Sequence, residues 1–246
     1  VEMRRAAGAA GLASRSYGTV TSAVPADRTR LRNQGALLKE VRELLTLSRG
    51  YGMESVRQRA MSTAETVSAS LSEVVDDSAL ELVVDLRLAF GRLLAALGAN
   101  ERAQKEHLDT AELSLSQGWT ETACAALALA SHAAQARGDR AASSRAWRQC
   151  RETMESWPMN RPGERCGILV DAVGDPLVAV QVLSALAEVL VEGVEEDHSR
   201  ASIVREIISR ASDQASRCVS SPQNAVESLA RVEERIAPYG RGRGGR

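Results

Sequence analysis

The sequence predicts an all-α fold of stacked antiparallel helical hairpins, and three observations predict it. No proline occurs between Pro25 and Pro158, so the residue that most disrupts helices is missing from half the chain. Through that stretch apolar residues recur at helical spacing, punctuated by short turns at Gly50, Gly98, Gly118 and Gly138. Aromatic residues make up 3% of the 246 residues while 44% are hydrophobic. The core must therefore be filled by Leu, Val, Ile and much Ala, whose small side chains let helices approach closely.

The elements follow in order. Leu37, Val41, Leu44 and Leu45 form the apolar stripe of a first helix that ends at Gly50-Tyr51-Gly52. Met53, Val56, Ala60, Ala64, Val67, Leu71 and Val74 form the stripe of a second, which stops around Asp76-Asp77. Ser78 is the expected N-cap of a third, with Glu81 at the capping-box position. That helix, LELVVDLRLAFGRLLAALG, is apolar on most sides and should be central, closed by Gly98. A fourth turns Leu108, Ala111 and Leu115 inward and stops at Gly118. The fifth runs from Thr120 as N-cap through an Ala- and Leu-rich stretch. The sixth, after Gly138-Asp139, carries Trp147, Cys150, Met154 and Trp157 on its inner side. PMNRPGERCG reads as a loop. Beyond it a long helical pair, a last short helix and the tail RGRGGR complete the chain.

From Met3 to Ala26 the chain holds Arg4, Arg5 and Arg15, several Ser and Thr, and no acid except Glu2 just before it. That composition matches a mitochondrial transit peptide, and Arg15-Ser16-Tyr17-Gly18 resembles a matrix-protease site that would place a mature start near Gly18. Val1 and Glu2 then read as translation from upstream of Met3. The alternative is an Ala-rich bacterial leader. The expected division is a transit peptide over 1–17, an extended segment over 18–29, a helical-repeat domain over 30–239 and a flexible Arg/Gly tail over 240–246.

The formal net charge is −1. Taking away Arg4, Arg5, Arg15 and Glu2 leaves it near −3, without the concentrated positive excess that a DNA-gripping surface needs. Cys124, Cys150, Cys166 and Cys218 lie far apart, with no C-x-x-C and no histidine at ligand spacing, so reduced thiols are expected, and no zinc site. No apolar run reaches the length that spans a bilayer.

Helices joined by short Gly turns are the mark of stacked hairpins, and residues 84–117 resemble the tetratricopeptide repeat family. Phe90-Gly91 stands where that repeat has Leu-Gly, Leu94 at the next large position, Gly98 at the interhelix turn and Ala103 at the small position of the second helix. The next unit has Ser131 at the small position, Gly138-Asp139 at the turn and Trp147 at the large position. Two departures stand out: Gly98 and Gly138 are 40 residues apart against about 34 in the family, and the closing proline is missing. The resemblance implies a right-handed superhelix whose first helices line a concave surface, selecting Asp85 and Arg92 in one unit and His132 and Gln135 in the next. The alternative is an irregular helical bundle without a groove.

No chemistry-bearing motif appears. His107, His132 and His198 sit on separate predicted helices without triad or metal spacing. His107 is expected to pack and His198 to be exposed. There is no phosphate-binding Gly-rich loop, and Asp76-Asp77 and Glu195-Glu196-Asp197 read as helix-start acids rather than a calcium site. No catalytic residue, cofactor or metal is expected. The sequence therefore points to a non-catalytic interaction subunit, accessory to a mitochondrial complex of respiratory or ATP synthase type, with other protein subunits as partners. The alternatives are an organellar RNA-binding repeat protein, suggested by the RGRGGR tail, and the repeat module of a bacterial regulator.

Overall fold

The computed structural model describes residues 25–71, 79–157, 160–194, 197–198, 200–218 and 222–240. Among them the protein is all α-helical, and the helices pack against their neighbours in the chain. The N-terminal 24 residues, Val74, Asp76, Asp77, Ser78, Glu195, Glu196 and the RGRGGR tail lie outside the described residues.

The order is α1 (Pro25–Tyr51), a 3-10 turn (Met53–Val56), α2 (Arg57–Leu71), α3 (Leu80–Ala96), α4 (Asn100–Ser116), α5 (Thr120–Ala136), α6 (Arg140–Glu155), α7 (Pro162–Val173), α8 (Pro176–Val191), α9 (Arg200–Ala215), α10 (Gln223–Ile236) and a closing 3-10 turn. The odd-numbered helices follow one another, α1 on α3, α3 on α5, α5 on α7 and α7 on α9. On the other side α6 meets α8, and α8 meets α10.

The middle of the chain is metrical. Helices α3, α4 and α5 are each 17 residues long, and α3 to α6 begin at Leu80, Asn100, Thr120 and Arg140, one every 20 residues. This accounts for the 40-residue spacing of Gly98 and Gly138: one hairpin is two 20-residue steps. Each step ends in the same turn. The Gly98 N–H donates to Ala95 and the Ala99 N–H to Leu94; Gly118 and Trp119 repeat this onto Leu115 and Ser114, and Gly138 and Asp139 onto Gln135 and Ala134. That paired arrangement satisfies the last helix carbonyls and requires a left-handed residue, and the three glycines have φ of +82°, +69° and +79°.

At the hairpin crossings the residues are small. Ala103 is fully buried, and the Ser131 hydroxyl reaches the Ser143 carbonyl at 3.0 Å across the α5–α6 crossing. Gly91 lies against the His107 ring of α4, and a Cβ there would come within 2.7 Å of Nε2 and 2.8 Å of Nδ1. His107 packs as expected, at 1% exposure.

Several expectations are corrected. Residues 25–29 are the first turns of α1, not an extended segment, because Pro is tolerated where a helix N–H has no partner anyway. PMNRPGERCG is not all loop: Pro162 is at the N-terminus of α7, which Gly174 closes in the left-handed conformation at φ +61°. Thr120 is the first helical residue of α5, with Trp119 as its cap, and α3 is capped by Ala79 without a side-chain bond. Leu115 is 40% exposed, while Ser114 takes the inward position, its hydroxyl donating to the Thr110 carbonyl at 2.8 Å. Trp147 is half-buried, whereas Cys150, Met154 and Trp157 are buried.

Two hydrophobic clusters result. The smaller holds Leu38, Val41, Leu44, Val67, Phe90 and Leu93; the larger runs from α3 to α10. They meet at the α3–α5 contact, where Val84 and Leu88 of α3 belong to the larger cluster and Ala133 of α5 to the smaller.

Candidate functional site

The four residues selected from the sequence fall into two different settings. Asp85, on α3, keeps 11% of its side chain exposed and pairs with Arg42 of α1 at 3.4 Å. Arg92, two turns further along α3, donates from Nη1 to the Val173 carbonyl at 3.2 Å, and its Nε is buried without a partner. Arg49 of α1 donates to the neighbouring Gly174 carbonyl. The C-terminal end of α7 carries unpaired carbonyls and partial negative charge, so two guanidinium groups from other helices are well placed against it.

Burial pushes the Arg92 pKa down to about 10, helped by repulsion from Arg42 and then Arg49 and opposed by Asp85 and Asp175. The group stays cationic at neutral pH. Asp175 is also spent locally, accepting from the Val178 N–H at 3.1 Å as the N-cap of α8. Asp85 and Arg92 thus belong to a charged junction of α1, α3 and the α7–α8 turn. Gly174 shares that junction, since any Cβ there would strike the Arg92 guanidinium.

His132 and Gln135 are different. Helix α5 is buried almost all round from Glu121 to Ser131, yet these two side chains emerge exposed on its last turns, three residues apart and so on one face. Farther along, α7 is tied to α5 by the Arg165–Glu121 ion pair, with Glu121 only 8% exposed, and Arg165 Nε also donates to the Asn160 carbonyl at 2.9 Å.

Sequence reasoning missed Arg42, whose partner Asp85 lies 43 residues away on α3, and Arg49, because it had no α7 for that side chain to reach. The signal was present: Arg161-Pro162 at one end and Gly174-Asp175-Pro176 at the other are a helix start, a helix stop and a second helix start.

Three buried groups that could carry chemistry are held in unreactive forms. His107 is depressed to about 3, by burial and then by Arg92, and is neutral at physiological pH. The Cys124 thiol is pushed far up by its neighbour Cys150 and by burial; Cys150 Sγ points at the Cys124 carbonyl at 3.4 Å. Cys166 is raised to about 11 by burial. A thiol is nucleophilic only as thiolate, so these are packing residues at neutral pH. His198 is exposed in the turn before α9, its ring 4.9 Å from that of Tyr239. Among the described residues no group of three or more His, Cys, Asp or Glu could hold a metal, and no helix is long and apolar enough to cross a membrane.

No protein-family model, curated protein or solved structure matches the chain.

Proposed function

We propose that this chain is a non-catalytic helical-repeat protein that presents surface to other proteins, as an accessory or assembly subunit of a larger complex. The observation that supports this best is the metrical array α3–α6, in which one helix and one turn recur every 20 residues. Such stacking turns side chains of successive helices onto extended faces. The inert state of His107, Cys124 and Cys166 supports a surface role over a reactive one. His132 and Gln135, exposed at the end of a buried helix, are the proposed contact residues on α5, while Asp85 and Arg92 act by fixing α3 to α1 and α7. The Arg-rich, acid-poor start supports a mitochondrial location.

Affinity purification of the tagged full chain from its own cells, with and without nuclease, tests the reading. Stoichiometric protein partners that survive nuclease and decline with His132→Ala/Gln135→Ala are expected. Loss of every partner after nuclease, or no stoichiometric partner, would overturn it. Co-fractionation with a matrix marker tests the location.

A further inference from the structure

Helix α6 has two sharply different sides. One is buried through Ala142, Ala146, Cys150, Thr153 and Met154. The other exposes Arg140, Ser144, Arg145, Arg148 and Gln149. Residues 137–151 contain five arginines and a single acid, Asp139, in a chain whose net charge is −1.

Two of the nearby acids are already engaged. Asp139 accepts from the Ala142 N–H at 2.9 Å as the cap of α6 and from Arg137 at 3.2 Å. Glu188 of α8 takes Arg151 at 3.0 Å, and the Ser228 hydroxyl of α10 donates to its other oxygen. The guanidinium groups of Arg140, Arg145 and Arg148 make no ion pair or hydrogen bond among the described residues. Eight residues of helix separate the first from the last, about 12 Å. Beside them Trp147 is half-buried, and Arg and Trp are the residue types that most often anchor interfaces.

We infer that the outer face of α6 docks an acidic segment of a partner protein, with Arg140, Arg145 and Arg148 receiving its carboxylates. Guanidinium groups match carboxylates two bonds at a time, which lysines do not. A protein carboxylate suits the face better than a nucleic acid backbone. Glu101, 3.9 Å from Arg137, and Glu152 and Glu155 flank the three arginines at its two ends. A continuous phosphate track would run over those acids; discrete carboxylates need not.

The inference rests on the interaction reading above, and two measurements separate them. First, the purified full chain is titrated against a fluorescein-labelled ten-glutamate peptide and a ten-nucleotide oligouridylate, by anisotropy at low salt. Binding of the peptide is expected, weakened at least tenfold by Arg140→Ala/Arg145→Ala/Arg148→Ala and less than twofold by Arg231→Ala/Arg235→Ala on α10, with melting unchanged in both. No peptide binding, equal loss in the two variants, or tighter oligouridylate binding that depends on the same three arginines would overturn it. Second, the triple variant is carried through the capture experiment. Undiminished protein partners there would sink the α6 assignment alone, whereas a wild-type chain without partners would sink the interaction reading itself.

Discussion

The α3–α6 array and the α7–α10 half use different means to hold helices side by side. In the array, order is local: equal helices, one kind of turn, and small residues at the crossings. In the second half the helices are 12, 16, 16 and 14 residues long, and ties between distant side chains replace the metre. Arg165 reaches Glu121, Glu188 joins Arg151 to Ser228, and the Ser184 hydroxyl donates to the Ala225 carbonyl at 3.3 Å. Arg205 does the same to the Ile236 carbonyl at 3.2 Å. The array carries ties as well, Arg87 to Glu106 at 3.1 Å and Ser131 to Ser143 at 3.0 Å, but there each turn already sets where the next helix lies.

The comparison breaks most sharply at Gly91. The position is helical, so alanine would be favoured by propensity alone, but its Cβ would enter the His107 ring, which is wedged rather than a flexible chain end. Gly91→Ala should cost about 3 kcal/mol, toward the top of the usual overpacking range, read by denaturant unfolding. Adding His107→Ala should cost less than the sum of the two single changes, since they share one space. Additive losses would mean that the crossing is not tight.

The same contact gives a pH dependence. The folded pKa of His107 is about 3, against about 6.5 when unfolded. Its folded value is the lower one, so the unfolded chain binds the proton first and stability falls as pH drops below 6.5, until about 3. Between pH 7 and 5 this amounts to about 2 kcal/mol. Unfolding curves at those two pH values should converge in His107→Gln if the buried ring is the cause.

How much of this was legible follows from the same contrast. The turns at Gly98, Gly118 and Gly138 could be read directly, because glycine is what a left-handed helix end demands and the apolar stripes stop there. Helix α7 was harder: its start and stop signals were there, but its 12 residues include Gly163 and Gly167 and follow Met159-Asn160-Arg161, so local propensity points to a loop while burial of Cys166, Leu169 and Val173 makes the helix. Leu115 was misassigned because periodicity ranks by apolarity. A buried serine whose hydroxyl binds the preceding turn is not visible to that ranking. At the candidate site, Asp85 and Arg92 were selected through the resemblance as groove residues, whereas their side chains bond to α1 and to the end of α7. Their partners were not legible, because Arg49 lies 125 residues from Gly174 and nothing local connects them.

Two single substitutions sharpen the comparison at lower cost. A Cβ at Gly118 would meet nothing within 4 Å, so Gly118→Ala tests backbone strain alone. It should destabilise by about 1 kcal/mol, and a neutral result would show that the turn can be made another way. Gly167, inside α7, should behave oppositely. Its Cβ would lie 3.9 Å from Arg210 Nη1, an ordinary contact, and its backbone is helical. Gly167→Ala should therefore stabilise the chain by roughly 0.5 to 1 kcal/mol, from helix propensity and the smaller entropy lost on folding. A rise in Tm there beside a fall for Gly118→Ala would show that the array depends on its glycines for shape while α7 merely tolerates one. A fall in both would place a hidden constraint at the α7–α9 contact, where a Cβ at Gly163 would come within 3.1 Å of Glu206 and 3.4 Å of Arg210.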